Sequence, residues 1–194
     1  MKKTAYLILV TLTSVVCTGC GSRVAFQNNL ISHNLNQYSS KVERVEVNII
    51  SDNKVIKKSP TGFRGSMTSL EIEVGEINKH IAKEFFSQYF SRVNIVEQVT
   101  SKDITVKTFV TDYTYAYGVS DSTEMTIDLY VEMYINGKEK LTKKYSITDN
   151  NKVLLTFSSF SLKEGAIELF HKELLKLYNT EIKKDLLKVI HENY

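Results

Sequence analysis

Apolar and polar residues alternate without interruption between residues 125 and 135, and this pattern constrains the fold more than any other part of the sequence. The apolar members are Met125, Ile127, Leu129, Val131, Met133 and Ile135. Successive side chains of a β-strand point to opposite faces of its sheet. The pattern therefore predicts a strand whose odd-numbered side chains are buried and whose even-numbered side chains face outward.

Further strand signals accompany this run. The predicted strands cover residues 42–50, 93–99 and 104–118, with a short hairpin arm at 55–56 and a turn at 118–122. Within 104–118 the apolar phase changes between Val106 and Phe109. Because a shift of one residue turns side chains to the opposite face, we expect a β-bulge near Thr108.

Asn136 and Gly137 mark the turn into the next strand, whose apolar residues again occupy odd positions. These are Leu141, Tyr145 and Ile147. A three-residue loop of residues 135–137 pairs Val131 with Leu141 and Ile127 with Tyr145, whereas a two-residue loop pairs odd positions with even ones. We therefore predict a type I turn with Gly137 in the left-handed bulge position.

Two segments have the spacing of amphipathic helices. The first stripe is Val74, Ile77, Ile81, Phe85 and Tyr89, and the second is Leu162, Ala166, Leu169, Phe170, Leu174 and Leu177. Residues 68–71 and 161–164 have the form of capping boxes, although 71–75 can instead be extended. The second stripe continues to Ile190, with a kink predicted at 179–180. The element order predicts an α+β fold, an antiparallel β-meander with two amphipathic helices on one face.

The first 20 residues have the layout of a secretory leader. Lys2 and Lys3 precede an apolar stretch at residues 7–16, which is too short to span a membrane as a helix. Thr18 and Gly19 then precede Cys20, and this arrangement resembles a lipobox, although Cys17 occupies the position where leucine is usual. A transmembrane anchor or a conventionally cleaved signal are the alternatives.

The lipobox implies cleavage between Gly19 and Cys20, with a diacylglycerol and an amide-linked chain such as palmitate on Cys20. We then expect a signal peptide at 1–19, a lipidated and polar tether at 20–40 and a single domain at 41–194. Residues 24–26 can instead add an edge strand to the domain. Gly21, where aspartate would favour the inner membrane, predicts a periplasm-facing anchor in the outer membrane. No disulfide is then left to the mature chain.

Composition and charge exclude several functions. The net charge is +3, and Lys2 and Lys3 of the leader contribute two of these charges. The sequence contains no block of basic residues of the kind that binds nucleic acid. The four histidines, His33, His80, His171 and His191, lack metal-ligand spacing. Carboxylates are numerous but form no recognisable pair, and neither a phosphate loop nor a nucleophile elbow is present. We expect no catalytic residue, no metal, no cofactor and no enzyme activity.

Tyrosines are the remaining candidates for a binding surface. Tyr130 and Tyr134 lie on the polar face of the predicted strand at 125–135, beside Asp128 and Glu132. Tyrosine offers a large contact area with a polar tip, so these two residues are candidates for binding a partner. The alternative is that they are ordinary strand formers, while Tyr113, Tyr115 and Tyr117 pack under the helices.

The order of lipobox, polar tether, strand, helix, meander and helix resembles that of small outer-membrane lipoproteins. The LPS-assembly lipoprotein LptE, the YajG-type lipoproteins and the auxiliary lipoproteins of ABC transporters share this layout. The resemblance implies a non-catalytic accessory or assembly subunit of an envelope machine, with another envelope protein as partner. Two other hypotheses are a periplasmic lipid- or glycan-binding lipoprotein, which needs an apolar pocket, and an accessory of a flagellum or secretion system.

Overall fold

The computed structural model describes residues 22–23, 42–59, 61–62, 69–117, 122–152 and 159–193. Gly19, Cys20, the rest of the predicted signal peptide and most of the predicted tether lie outside these residues, as does most of the predicted turn at 118–122. Among the residues that are described, no helix has both the length and the apolar character needed to cross a membrane.

Nine strands and three helical segments make up the described structure. The strands are β1 (Ser22–Arg23), β2 (Val42–Ile50), β3 (Ile56–Lys58), β4 (Thr61–Gly62), β5 (Leu70–Ile72), β6 (Phe90–Ile95), β7 (Ile104–Tyr117), β8 (Ser122–Ile135) and β9 (Lys138–Lys152). The helices are α1 (Val74–Ser87), α2 (Ser159–Leu177) and α3 (Lys183–Asn193), and a π-turn at Tyr178–Ile182 joins the last two.

The main sheet is mixed, in the order β6-β2-β7-β8-β9 with β4 beside β7. Strand β2 pairs in parallel with both β6 and β7, whereas β7, β8 and β9 form antiparallel pairs. The prediction of an all-antiparallel meander is therefore wrong for the first half of the domain. Helix α1 between β2 and β6 returns the chain to the end where β2 began, and such a crossover produces parallel pairing.

A second, smaller sheet has the order β1-β5-β3. Ile56 of β3 pairs with Ile72 of β5, so the predicted hairpin arm at 55–56 does not pair back on the first strand. Ser22 and Arg23, inside the predicted tether, pair in parallel with β5. The Tyr113 hydroxyl donates to the Leu70 carbonyl at 2.9 Å and thereby joins the two sheets.

Helix α1 begins at Val74, and Glu73 at its N-cap makes no side-chain capping bond. The capping box predicted at 68–71 is wrong because Leu70–Ile72 is a strand, and the extended alternative is confirmed. Gly75 occupies the first turn because the loop after β2 passes directly over it. A Cβ at this position would collide with the backbone nitrogen of Lys54 and the carbonyl of Asp52.

The C-terminal helices are continuous with one another through the π-turn. Helix α2 begins at Ser159, so Ser161 of the second predicted capping box lies inside the helix and not at its cap. The predicted kink at 179–180 falls within the π-turn, in which Tyr178 and Ile182 are both buried. A π-turn inserts one residue into a helix and so shifts the buried stripe without ending the helix.

Both helical segments pack on the same face of the main sheet, as predicted. Asn78 of α1 donates to the Thr108 carbonyl at 2.9 Å, and the Tyr178 hydroxyl lies 2.6 Å from the Thr108 hydroxyl. All three side chains are buried. The predicted burial of the odd-numbered residues 125–135 is confirmed, since each of these side chains is at most 4% exposed.

Two details of register differ from the predictions. The bulge of β7 lies between Val110 and Asp112 and not near Thr108, which leaves Phe109 on the face away from the helices. The β8–β9 turn is a two-residue loop, because Ile135 pairs with Lys138 and both Asn136 and Gly137 have positive φ.

These backbone angles are those of a type I′ turn, not the predicted type I turn. A register shift between Met133 and Tyr134 then restores the odd-to-odd pairing. It leaves Val131 opposite Lys143, not Leu141, and Leu129 opposite Tyr145. A bulge inside the strand, and not the length of the loop, therefore places the odd-numbered apolar residues of the two strands opposite one another.

Candidate functional site

The face of the main sheet opposite the helices is the candidate functional surface, which we call the outer face. Rows of side chains cross it at right angles to the strands: Thr105 pairs with Tyr134, Lys107 with Glu132, and Phe109 with Tyr130. Among the described residues, no helix packs on this face. Tyr130, Glu132 and Tyr134 are half-buried by their neighbours in the sheet.

Glu132 is the centre of a hydrogen-bonded cluster on the outer face. Tyr130 donates its hydroxyl to Oε1 at 2.6 Å, and Tyr134 donates to Oε2 at 2.7 Å. Lys107 Nζ lies 2.8 Å from Oε2, 3.2 Å from the Tyr134 oxygen and 4.8 Å from the centre of the Tyr134 ring. The four side chains hold one another, so both aromatic rings have fixed orientations.

The electrostatics of the cluster favour permanent charges. Hydrogen bonds from Lys107, Tyr130 and Tyr134 lower the pKa of Glu132 to about 2. The same carboxylate raises the pKa of the Lys107 amine and of both tyrosine hydroxyls. Only 16% of the Glu132 side chain is exposed, which reduces screening by water. The ion pair is therefore fixed throughout the physiological pH range.

Such an arrangement is suited to binding and not to proton transfer. A general base works best when its pKa is near the operating pH, and the pKa of Glu132 is far below that. The tyrosines supply large, rigid contact areas at low entropic cost. Thr142 and Lys144, exposed side chains on β9 opposite Glu132 and Tyr130, extend the surface with polar groups.

The predicted site residues Tyr130 and Tyr134 lie two residues apart on β8 and share the carboxylate of Glu132. Tyr113 and Tyr115 instead point to the helix side, 1% and 2% exposed, and the Tyr113 ring makes an edge contact with Phe170. Tyr117 belongs to β7, but its side chain lies outside the described part.

Lys107 is the member of the cluster that the sequence analysis missed. The sequence did not fix the register of β7 against β8, so it did not place Lys107 opposite Glu132. The usable signal was that Lys107 and Glu132, of opposite charge, become direct cross-strand neighbours once the strands are paired in the observed register.

The candidate metal and acid–base residues are dispersed. His80 pairs with Glu76 at 3.2 Å on α1, His171 is buried, and His191 is exposed on α3, whereas His33 lies outside the described residues. No group of three or more His, Cys, Asp or Glu side chains suited to a metal occurs within the described ranges.

The space between sheet and helices, where an apolar ligand would lie, is occupied by side chains. Asn78, Thr108, Phe85 and Tyr178 are each fully buried there, and the Phe85 and Tyr178 rings pack 5.4 Å apart. A groove of about 390 Å³ is found instead along the β9 edge of the sheet.

Comparison with known proteins identifies the fold. No protein-family model matches the sequence, and no curated protein matches it. A Xanthomonas campestris protein of the family DUF330 superposes with a TM-score of 0.53 at 11% identity, covering 79% of this chain and 89% of that one. Rare lipoprotein B from Shewanella oneidensis gives a TM-score of 0.48 at 11% identity, covering 77% and 99%. The chain therefore shares its fold with the Xanthomonas protein.

Proposed function

We propose that this protein is a bacterial lipoprotein that is anchored in the outer membrane through Cys20 and serves as a non-catalytic accessory subunit of an envelope transport or assembly machine. The outer face of its sheet binds the partner. The cluster of Tyr130, Glu132, Tyr134 and Lys107 is the observation that carries this proposal.

The anchor rests on the leader sequence. A positive start, a short apolar stretch and small residues directly before Cys20 are what the lipoprotein-processing enzymes require. Two or more acyl chains hold a protein stably on a membrane, whereas one chain binds only marginally. Gly21 favours the outer membrane, and the domain faces the periplasm.

The binding role rests on the construction of the outer face. The Glu132 carboxylate accepts from three donors, and two of them are the hydroxyls of Tyr130 and Tyr134. These bonds fix the two tyrosine rings, which face away from the core. A surface organised before binding loses less conformational entropy when a partner docks. Tyrosine is also among the residues most enriched at the centres of protein interfaces. The partner is therefore another envelope protein, and no cofactor or metal is required.

Photo-crosslinking in intact cells tests the binding surface. Benzoylphenylalanine replaces Asp128, which lies two residues from Tyr130 on the outer face of β8, and a control carries it at Leu187 on α3. We expect an adduct of one discrete mass from position 128 and not from position 187. The adduct should disappear in the variant Tyr130→Ala/Tyr134→Ala with an unchanged Tm, and persist in Thr126→Ala/Thr148→Ala. An adduct that survives loss of both tyrosines contradicts the proposal.

Mass spectrometry of the mature N-terminus tests the anchor. We expect the chain to begin at Cys20 with a diacylglycerol thioether and an amide-linked acyl chain. Cys20→Ser should abolish the modification, and Cys17→Ser provides the matched control that should keep it. An unmodified Cys20, or a mature chain that begins elsewhere, refutes the lipoprotein assignment.

A further inference from the structure

A groove runs along the outer edge of β9. It is lined by residues 143–148 of the strand and, on the opposite wall, by Leu177, Thr180 and Glu181. Side chains of consecutive strand residues alternate between the two faces of a sheet. Because all six consecutive residues line the groove, the groove follows the edge of the strand and does not lie on either face.

Within the described ranges, the sheet ends at the outer edge of β9. Strand β9 is 15 residues long and pairs on one side with β8, and no other described strand pairs with it. An unpaired edge presents a row of backbone N–H and C=O groups to an incoming chain. Tyr145 and Leu177, both buried, lie beside this edge among the residues that line the groove. An extended peptide uses such features together: backbone hydrogen bonds, and a pocket for alternate side chains.

The charge of the edge selects the occupant. Strand β9 carries five lysines against Glu139 and Asp149, a net charge of +3. Asp149 is already paired with Lys176 at 3.1 Å, and Lys143 with Asp185 at 2.7 Å. Lys138, Lys140 and Lys144 are exposed, and none of them forms an ion pair within the described part of the chain. A second copy of β9 would bring the same positive charge against this one and is disfavoured.

We propose that the β9 edge groove binds an extended, acidic segment of a partner protein as an additional strand of the sheet. The residues that position it are the backbone of 143–148, the free ammonium of Lys144 and the wall at Thr180. Glu181, on that wall, opposes the acidic segment and so limits its affinity. Lys144 also lies opposite Tyr130 on the outer face, whereas Thr180 belongs to the groove alone, so substitutions of Thr180 and of the two tyrosines test the two proposals separately.

A displayed library of random eight-residue peptides is the probe. The full chain, expressed with its leader and purified in detergent, is the target of selection, and enriched peptides are then measured by fluorescence anisotropy. We expect enrichment of Asp and Glu at alternate positions. Two variants of the best peptide are then made, one methylated at its odd backbone nitrogens and one at its even backbone nitrogens. One variant should bind at least about tenfold more weakly than the other, because only one of the two sets of N–H groups pairs with the strand.

Substitutions in the protein locate the site. Lys144→Glu and Thr180→Trp should each weaken the best peptide by about tenfold, and Glu181→Lys should strengthen it. The variant Tyr130→Ala/Tyr134→Ala should leave its affinity unchanged, which separates this proposal from that of the outer face. Circular dichroism melting checks that Thr180→Trp remains folded.

Three results would overturn the proposal. If the selected peptides are not enriched in Asp and Glu, the lysines of β9 serve only to prevent the edge from pairing with strands of other molecules. Equal binding of both N-methylated variants would indicate electrostatic attraction without strand pairing. Concentration-dependent dimerisation in sedimentation, abolished by Thr180→Trp, would assign the groove to a second copy of the chain.

Discussion

Tyr178 donates its hydroxyl to Oδ1 of Asn78 at 2.8 Å, a contact that joins residues 100 positions apart in the chain. Thr108 beneath them completes the cluster, with its hydroxyl 2.6 Å from that of Tyr178. Sheet, first helix and C-terminal helical segment thus meet at one buried polar point. Burial raises the pKa of Tyr178, so the hydroxyl remains protonated.

Removing this hydroxyl should destabilise the domain. Tyr178→Phe leaves the buried Oδ1 of Asn78 without its best donor, and an unsatisfied buried acceptor costs about 1–3 kcal/mol. Urea unfolding at pH 7 measures the loss. Thr126→Val, which removes an exposed hydroxyl bonded to Thr148 at 2.9 Å, is the control and should change the free energy of unfolding by less than about 0.5 kcal/mol. Equal effects of the two substitutions would contradict the role assigned to the cluster.

A methyl group at Gly75 should be poorly tolerated. Gly75→Ala forces the loop at 52–54 away from the start of α1, where the Gly75 amide donates to the Lys54 carbonyl at 2.9 Å. We expect a cost of about 2–3 kcal/mol, since backbone atoms must move to relieve the overlap. Gly137→Ala is the comparison, because a Cβ there meets nothing closer than 3.5 Å and the cost comes from its φ of +75°. A smaller loss for Gly75→Ala than for Gly137→Ala would refute this account.

The Glu132 ion pair should make stability depend on pH in a defined interval. Its pKa is lowered to about 2 in the folded protein, from an ordinary value of 4.5. The contribution is thus complete above pH 4.5 and disappears as the pH falls towards 2.

Urea unfolding of the wild type and Glu132→Gln measures this dependence. The variant should be less stable by about 1–3 kcal/mol at pH 7, and the difference should shrink below pH 4.5. Glu124→Gln, on an exposed residue of the same strand, should show little difference at any pH. If the difference in free energy of unfolding between the wild type and Glu132→Gln stays constant down to pH 2, the ionised carboxylate is not what stabilises the cluster.

Glu173 should behave in the opposite way. Its side chain is fully buried on α2, and desolvation, followed by the carboxyl group of Asp149, raises its pKa. The protonated form favours folding, so its stabilisation is present at low pH and is lost as pH rises through the raised pKa.

Glu173→Gln keeps a donor for Asp149 and removes the buried charge. At pH 7 we expect Tm to rise by about 2–4 °C, the change that roughly 1 kcal/mol produces in a domain of this size. The effect should vanish at pH 4, as measured by calorimetry. A drop in Tm at pH 7 would indicate that Lys176, 3.5 Å away, needs the carboxylate more than burial penalises it.

Periodicity predicted the elements well where one face is buried. The boundaries of β2 were predicted correctly, and the odd residues of the 125–135 run line the core. Periodicity does not encode strand direction, because parallel and antiparallel strands bury alternate residues in the same way. The parallel pairing of β2 with β6 and β7 therefore could not be read from the pattern of either strand.

The candidate site was predictable in part for the same reason. Tyr130 and Tyr134 occupy even positions on β8 and so had to face away from the core. Their connection to Lys107 depends on how β7 pairs with β8, and the bulge at 110–112 fixes that register. The turn at Asn136 shows a related limit. The Asn-Gly pair favours a two-residue type I′ turn, whereas the odd positions of the apolar residues on both strands favour a three-residue loop. The structure has the two-residue turn, and a bulge in the strand restores the pairing of odd residues with odd residues.

The π-turn makes the C-terminal helical segment tolerant of a change in chain length. It holds one residue more than an α-helical turn, so deleting a single residue from Tyr178–Ile182 would leave an ordinary helix with its two ends still in phase. Leu186 and Val189 would then remain buried. Alignments of related chains should therefore show a gap of one residue in this segment more readily than elsewhere in the two helices.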